Sequence, residues 1–284
     1  MVFSWFRKKK VNPKSELKRV LGTFKLPSFP AVVTRILEKL RDPNASAADL
    51  AKIISADPGL SVKVIRVVNS AAFSPLRKVE NLQQAVALMG MSSLESLVLS
   101  ASVGKVVPGA ARNAYDGEAF WQASARRAMV ARHLAAILHP ATVMESFTAG
   151  LLQNMAVPYL AKQMPEEYGP IIEAWNQGNG DLAELEREKF DWDHAEVATW
   201  LCSQWGLPES LAAAIGEHHG TMDLGGQCPP AVRLAAHIRD DHEHSGAEQL
   251  ISAVHCEFSV PEARLGELVA TGFGEAAELA KLMH

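Results

Sequence analysis

The residues best suited to chemistry form a dense run of histidines and acids near the carboxyl-terminal end of the sequence. His237, Asp240, Asp241, His242 and His244 lie within eight residues, and each can ligate a metal ion. On a helix, His237 and Asp241 would share one face at positions i and i+4. The others would fall at a charged helix end, which is most often a solvated turn without the oriented partners that a metal site needs. We therefore predict no specific metal site in this run.

A glycine-rich segment, "QGNGD" at residues 177–181, has the composition of a phosphate-binding loop. No strand pattern precedes it and no Gly-Lys-Ser/Thr follows it, so the context of a phosphate loop is missing. We predict instead a turn between two helices, in which Asp181 caps the second. The sequence also has no Gly-x-Ser-x-Gly elbow and no supported Cys-His pair, which leaves covalent catalysis without a candidate.

A helix-turn-helix pattern covers residues 46–71, with a short turn at residues 57–59. The second helix would present Ser61, Lys63, Arg66 and Asn69 amid a wide apolar face. A DNA-recognition helix needs more polar side chains than this for base edges and phosphates. The chain has a net charge of −4 and, outside its N-terminal tail, lacks the basic surface expected of a DNA-binding protein. We therefore do not expect nucleic acid as a partner, and a DNA-binding regulator is the second alternative.

Composition indicates a globular protein of a reducing compartment. The 284 residues are 48% apolar and 21% charged, which is ordinary for a domain with a sizeable core. Cys202, Cys228 and Cys256 are scattered and odd in number, which favours a cytoplasmic location over a disulfide framework. No apolar run approaches the roughly 18 residues of a transmembrane span, and the first residues do not read as a secretory signal.

Charge is polarised toward the start of the sequence. Residues 1–40 hold ten Lys or Arg against Glu16 and Glu38, a balance of +8, so the remaining residues carry 18 basic against 30 acidic groups, or −12. The segment Phe3–Lys10 combines aromatic and basic residues, which permits weak peripheral contact with an anionic membrane. A frayed, solvated terminus is the simpler interpretation.

Helical periodicity predicts an all-α protein. Val33, Ile36, Leu37 and Leu40 fall at i, i+3, i+4 and i+7, and no segment shows the sustained alternation of a half-buried strand. Turn and cap signals predict a first helix after Pro30, then helices opening at Ser46, Leu60 and Leu82, the last breaking at Gly90. Later helices are predicted over residues 145–163, 193–205, 209–218, 229–241, 246–255, 261–271 and 275–283.

Four phrases in order give the chain a family resemblance. They are "LPSFPAVVTRILEKLRDPNAS", "ADLAKIISADPGLSVKVIRVVNSAAFS", "LQQAVALMGMSSLESLVLS" and "HAEVATWLCSQWGLPESLAAAIGEHHG". From Leu26 to His219 the sequence resembles the HDOD domain, a relative of the HD phosphohydrolases. The resemblance implies a multi-helix fold with an N-terminal helical subdomain and a C-terminal HD-like subdomain.

The domain organisation follows from this resemblance and from a Gly/Pro-marked connection, "VVPGAARNAYDG". We predict a basic tail over residues 1–20 and the N-terminal helical half of the HDOD domain over 21–112. The HD-like half would cover 113–220. A C-terminal helical extension, 221–284, would pack on the HD-like half.

The resemblance implies that the catalytic groups are replaced. Active HD relatives gather divalent ions with a His on one helix, an adjacent His-Asp pair on the next, and later His or Asp residues. The first His aligns with Ala123, the His-Asp pair with Gln153-Asn154, and a frequent Lys with Val157. An alanine methyl coordinates nothing, and neutral amides supply neither an imidazole nitrogen nor a negative charge. We therefore predict no catalytic residue.

Three histidines keep identities that HD-GYP relatives use for metal, namely His194, His218 and His219. The Gly-Tyr-Pro signature is absent, because "HHGTMDLGG" continues where it would stand. Buried hydrogen-bonding histidines explain this pattern more simply than a metal site does, so we predict no metal and no cofactor. A residual cleft lined by Gln153, Asn154, His194, His218 and His219 is the predicted binding site.

These observations predict a non-catalytic signal-transduction module of the HDOD type. It would act by binding a signalling protein or a small ligand, which the sequence does not identify. The first alternative is a divergent metal-dependent phosphohydrolase acting on a nucleotide or cyclic dinucleotide through His194, His218 and His219.

Overall fold

The structure is a computed structural model that describes residues 17, 21–22, 30–70, 73, 75–103, 116–220, 226–240 and 246–283. All regular structure in these residues is helical, which confirms the all-α prediction. A single 3-10 turn, Pro140–Thr142, joins α6 to α7. The helices in chain order are α1 (Ala31–Leu40), α2 (Ala47–Ser55), α3 (Pro58–Val68), α4 (Leu82–Met89), α5 (Met91–Val103), α6 (Gly117–Leu138), α7 (Val143–Leu152), α8 (Ala156–Gln163), α9 (Pro165–Asn176), α10 (Leu182–Phe190), α11 (His194–Gln204), α12 (Glu209–Gly216), α13 (Pro230–Ala235), α14 (Ala247–Phe258) and α15 (Glu262–Met283).

Local capping groups set the starts of the early helices. Ser46 and Asp49 form a reciprocal capping box at α2, and the Asp57 side chain accepts a hydrogen bond from the Leu60 N–H at α3. Asn81 caps α4 through the Gln84 N–H. These bonds satisfy N–H groups that have no partner within the helix. The helices α2 and α4 begin where the sequence signals place them, and α3 begins at Pro58, two residues before the predicted start at Leu60.

One hydrophobic core runs through the molecule. It joins Ile36 of α1 and Val64 of α3 with Phe147 of α7 and Leu201 of α11, all without exposed surface. A smaller cluster beside it contains Leu134 of α6 together with residues of α13, α14 and α15. Because α6 contributes to both clusters, it is the central element on which the later helices pack.

The close contact of α6 with α7 depends on a glycine. A Cβ added at Gly150 would lie 2.9 Å from the Arg127 carbonyl oxygen and 3.0 Å from Ala131 Cβ. Side chains larger than hydrogen therefore do not fit at this crossing without separating the helices. The crossing brings the end of α7, and with it Gln153, into the interior.

The helix predicted over residues 145–163 is wrong as one element. It is divided into α7 and α8 by a turn at residues 153–155. The Gln153 N–H still bonds to Ala149 O at 2.8 Å, whereas the Met155 N–H bonds three residues back to Leu152 O. The chain therefore changes direction at the Gln153-Asn154 pair.

Two predictions near the carboxyl end are also wrong. The helix predicted over 229–241 ends at Ala235, since residues 236–238 bond three residues back in tight turns. The helices predicted over 261–271 and 275–283 are one continuous helix, α15. Gly272 lies inside this helix without breaking it. The residue packs closely against α6, where an added Cβ would come within 3.2 Å of Val130 Cγ2.

Several predictions fall on parts of the chain outside the described residues. These are Phe3–Lys10 and most of the connection at 106–117. The domain boundaries therefore stay predictions, although α15 does pack on α6. Among the described helices, none has the length and apolar character needed to cross a bilayer.

Candidate functional site

A buried carboxylate on α10 supports the candidate site. Glu186 has no exposed surface, and it accepts hydrogen bonds from the Tyr168 hydroxyl and, at 2.8 Å, from the His194 backbone N–H. The same carboxylate lies 2.7 Å from His194 Nδ1. An ionised carboxylate only accepts, so His194 Nδ1 carries a proton. Glu186 thus fixes the orientation of the His194 ring.

The start of α11 holds His194 in place from the other side. The Asp193 side chain caps this helix by accepting from the Ala195 and Glu196 N–H groups at 3.0 and 3.2 Å. Arg187 Nη1 lies 2.6 Å from Asp193 Oδ2. His194 is therefore the first residue of α11, with 1% of its surface exposed.

The pKa of His194 is set by two opposing effects. Burial lowers it, but the negative charge of Glu186 and the hydrogen bond to it outweigh burial, so the pKa is raised above its ordinary value. The environment of this ring consequently favours a positive charge.

His218 and His219 follow α12 and face His194. His218 Nδ1 lies 2.5 Å from the Ile215 carbonyl oxygen, which can only accept, so Nδ1 is protonated. Burial is the main cause that lowers the pKa of both residues well below the ordinary value, and the neighbouring imidazoles add to it. Both rings are therefore neutral near pH 7.

The three Nε2 atoms converge on one point. His194 Nε2 lies 3.0 Å from His219 Nε2 and 3.3 Å from His218 Nε2, and the three donor atoms lie within 4.8 Å of one another. We call these three residues the histidine cluster. Since Nδ1 carries the proton in His194 and His218, both would direct an Nε2 lone pair at the centre when neutral.

Lone pairs that face one another need a positive charge between them. A proton on His194 Nε2 can meet this need by donating to either neighbour, in agreement with the raised pKa of His194. A divalent cation can meet it equally well. Three nitrogens around a tetrahedral ion are separated by about 3.4 Å when each bond is about 2.1 Å, close to the observed distances. The cluster therefore fits either a shared proton or a single metal ion.

The positions that the family resemblance aligns with catalytic groups are buried but do not extend this donor set. Ala123 on α6 and Val157 on α8 have no exposed surface and do not line the cavity beside the histidines. Gln153 is fully buried, and neither its amide nitrogen nor its amide oxygen has a hydrogen-bond partner among the described residues. The side-chain oxygen Oδ1 of Asn154 likewise has no hydrogen-bond partner among the described residues. The described residues thus fit one ion at most, and they do not fit the clustered ions of an active HD enzyme.

A cavity of about 280 Å³ adjoins the histidine cluster. Asn154, His194 and His219 line it together, so the structure brings these three predicted site residues to one surface. Its other walls come from the turn at 178–182, from residues 236–239, and from Gly246 and Gln249. The volume is near the lower limit for small-molecule pockets. We call it the histidine cavity.

Sequence reasoning missed several groups around this cavity. The Arg239 guanidinium lies 5.3 Å from the Trp175 ring centroid, in cation-π geometry, and both residues line the wall. Glu186 and Tyr168 lie beneath the cluster. No local pattern marks these four residues, because they come from α9, α10 and the segment after α13 and become neighbours only in the fold.

In the acidic and histidine-rich run, the described residues 237–240 are not helical. His237 lies in the turns after α13, where burial lowers its pKa. Asp240 pairs with the buried Arg127 at 2.6 Å, and Arg127 also bonds to Ile238 O at 2.9 Å. Asp241, His242 and His244 lie outside the described residues. The described part of the run therefore anchors the chain to α6.

Two other motifs have local roles. Asp181 caps α10 by accepting from the Ala183 and Glu184 N–H groups, which confirms the predicted turn at "QGNGD". In the helix-turn-helix pattern, the side-chain amide of Asn69 donates to the Val79 carbonyl oxygen and accepts from the Val79 N–H, each at 2.8 Å. The Ser61 hydroxyl bonds to main-chain oxygens of the preceding turn. These contacts leave fewer side chains for DNA.

Comparison with known proteins assigns the family. The model of the HDOD domain matches residues 26–221. A curated relative, named "Uncharacterized protein" of Treponema pallidum (strain Nichols), is 26% identical over 214 residues. That match covers 74% of this chain but only 41% of the relative, so the chain spans less than half of that protein.

Solved structures agree with this assignment. The protein named "Putative phosphohydrolase" from Shewanella amazonensis SB2B has a TM-score of 0.73 at 23% identity, over 95% of this chain and 98% of its own. An HDOD domain protein with unknown function from Geobacter sulfurreducens has a TM-score of 0.63 at 20% identity, covering 90% and 97%. A "Putative signal transduction protein" from Marinobacter aquaeolei VT8 has a TM-score of 0.69 at 19% identity, over 95% of this chain and 65% of its own. At these identities the likeness shows the fold. By the extent of the family match, the chain belongs to the HDOD domain family.

Proposed function

We propose that this protein is a non-catalytic signal-transduction module that binds a small ligand or a signalling protein through the histidine cavity. The observation that carries the proposal is the state of the Gln153-Asn154 pair. These neutral amides stand where the HDOD resemblance implies a catalytic His-Asp pair, and they are buried with unpaired polar atoms. A buried amide without a partner costs free energy, and an occupant of the cavity that donates to Asn154 would recover part of that cost.

The walls of the cavity suggest how binding could be transmitted. They come from the turn after α7, the turn between α9 and α10, and the segments on either side of residues 241–245. A ligand that contacts all three favours one packing of these elements over others. Such a shift requires different affinity for the two packings. In this mechanism the buried Arg127–Asp240 pair links the cavity wall to α6.

A paired substitution tests this proposal. Asn154→Leu together with His219→Ala removes the acceptor and one imidazole from the cavity wall. We expect this variant to fail to restore the signalling phenotype when it replaces the native gene, while its helical circular dichroism is retained. The control variant is Gln204→Leu with His255→Ala, which replaces an amide and an imidazole at exposed positions. This control should restore the signalling phenotype fully. A cavity variant that restores the phenotype like the control would rule out the cavity as the working surface.

A second candidate function is a divergent metal-dependent phosphohydrolase. The convergence of three Nε2 atoms favours it, since Glu186 and Ile215 orient two of the rings through Nδ1 in the manner of groups behind metal ligands. When bound, a metal ion would lower the pKa of a water molecule and polarise a phosphoryl oxygen. His194, His218 and His219 would hold the ion, and Glu186 would orient His194.

Elemental analysis separates the two candidates. For the phosphohydrolase, untagged protein should contain stoichiometric iron, manganese or a similar ion, and its removal should abolish hydrolysis of a nucleotide or cyclic dinucleotide. The binding module requires no turnover with or without the ion. His218→Ala should lower the metal content if the cluster holds the ion, and exposed His255→Ala should not.

A further inference from the structure

A second cavity lies between the early and late helices. Its volume is about 480 Å³, within the range of small-molecule pockets. One wall is α5, and the others are the 3-10 turn with the start of α7 and the segment that opens α12. It shares no lining residue with the histidine cavity. We call it the α5–α7 cavity.

Two carboxylates enter this cavity from different helices. Glu95 comes from α5 and Glu145 from α7, and both are half-buried. Neither forms an ion pair within 4.0 Å among the described residues, although the more distant Arg41 charge acts on Glu95 and Ser210 hydrogen-bonds to Glu145. Burial raises the pKa of both carboxyl groups. Each carboxylate is therefore partly desolvated where it lines the cavity, and its charged form is favoured only when a cation comes close.

A serine hydroxyl in the same wall has no protein partner. Ser96 is only 8% exposed, lines the cavity, and its hydroxyl makes no hydrogen bond among the described residues. The neighbouring Ser100 and Ser102 hydroxyls bond four residues back along the helix, to Ser96 O at 2.7 Å and Val98 O at 2.6 Å. Ser96 does not follow this pattern. Its hydroxyl can therefore bond to an occupant of the cavity whose wall Ser96 lines.

The remaining wall is largely aliphatic. Leu99, Val143, Met144 and Leu211 surround the polar groups. An inorganic cation would leave this aliphatic surface without contact, whereas the carbon chain of an organic cation would cover it. The lining thus combines two negative charges, a free hydroxyl and an apolar surface.

We infer that the α5–α7 cavity binds an aliphatic organic dication, such as a diamine or a guanidinoalkylamine. Its cationic ends would pair with Glu95 and Glu145, its carbon chain would lie on the aliphatic wall, and one N–H would reach the Ser96 hydroxyl. Because the carboxylates belong to α5 and α7, this ligand would link the early and late helices. This site is independent of the proposed function of the histidine cavity.

Calorimetric titration of the full chain tests the inference. The probes are 1,5-diaminopentane and agmatine, with 1,5-pentanediol as the neutral control. We expect saturable one-to-one binding of a dication and none of the diol. Glu95→Gln and Glu145→Gln should each weaken binding at least tenfold, and exposed Glu188→Gln should leave it unchanged. Ser96→Ala should weaken it by a smaller factor.

Two further measurements complete the test. Nα-acetyl-lysine methylamide reports whether the same cation can come from a protein side chain, and binding tighter than that of the free diamines would assign a lysine-bearing partner as the source. Urea unfolding should show that the glutamine variants fold as stably as the parent, because they remove unpaired half-buried charge. Absence of saturable binding of both dications at millimolar concentration would overturn the inference, as would undiminished binding by Glu95→Gln and Glu145→Gln.

Discussion

Each ring of the histidine cluster has a separate physical constraint. Glu186 holds His194 through Nδ1, and the Ile215 carbonyl holds His218, while burial keeps His218 and His219 neutral. The common requirement is one positive charge at the point where the Nε2 atoms meet. Glu186 and Ile215 thus position two of the rings through hydrogen bonds that do not involve Gln153 or Asn154.

Glu186→Gln is expected to destabilise the protein. The carboxylate and the His194 ring are 0% and 1% exposed, so the variant leaves a buried cation without its counter-charge. Breaking such a pair costs about 3 kcal/mol. The free energy of unfolding in urea, measured with EDTA present, checks this against Glu188→Gln on the same helix, which should change it by less than about 0.5 kcal/mol. Equal stability of the two variants would contradict the role given to Glu186.

The cost of Glu186→Gln should also depend on pH. The pKa of His194 is raised above its ordinary value of 6.5, so the folded state binds this proton more tightly than the unfolded state does. The stabilisation is present in full below pH 6.5 and is lost as the pH rises through the folded-state pKa. Unfolding curves at pH 6 and pH 9 should therefore show a larger difference between parent and variant at pH 6. A difference between parent and variant that grows with pH would contradict the raised pKa of His194.

The three thiols should differ in reactivity. Burial raises the pKa of Cys202 and of Cys228 to about 12, whereas Cys256 is exposed. Because the thiolate is the reactive form, we expect a disulfide reagent at pH 8 to label one thiol in the native protein and three in urea. Cys256→Ser should abolish native labelling. Fast labelling of two or more native thiols would contradict the packing around α11 and α13.

At the scale of the elements, sequence patterns predict what local interactions decide. Ser46, Asp57 and Asp181 mark helix starts because their caps act within three residues. The turn at Gln153 and the continuity of α15 through Gly272 were not predictable, because α6 packs at both places. Likewise, the histidines could be named from the family resemblance, but Glu186 and Trp175 could not, since only tertiary packing brings them to the site.

Substitution of Gly150 should weaken the α6–α7 crossing. Gly150→Ala places a Cβ 2.9 Å from the Arg127 carbonyl, so the helices must separate, at a cost of about 1–3 kcal/mol. The matched control is Gly169→Ala on α9, where nothing lies within 4 Å, and which should stabilise by about 0.5–1 kcal/mol through helix propensity. Chemical unfolding of both variants measures the contrast. A neutral Gly150→Ala would show that the crossing tolerates a wider spacing.

At the scale of the whole molecule, the HDOD fold presents two separate cavities. The histidine cavity lies among the late helices and is lined by Asn154, His194 and His219, and the α5–α7 cavity lies between the early and late helices. The side-chain oxygen of Asn154 in the histidine cavity has no hydrogen-bond partner among the described residues, and the α5–α7 cavity is lined by the half-buried Glu95 and Glu145. Under the proposed function, the polar groups of the histidine cavity receive a ligand and do not activate water.

The most direct test of the non-catalytic assignment is turnover by the purified full chain. The protein is incubated with manganese or ferrous iron and with nucleotides and cyclic dinucleotides, and released phosphate or linear product is quantified. We expect product formation no greater than that of the His194→Ala variant under the same conditions. Metal-dependent turnover that is present in the parent and lost in His194→Ala would contradict the account and establish the chain as a phosphohydrolase.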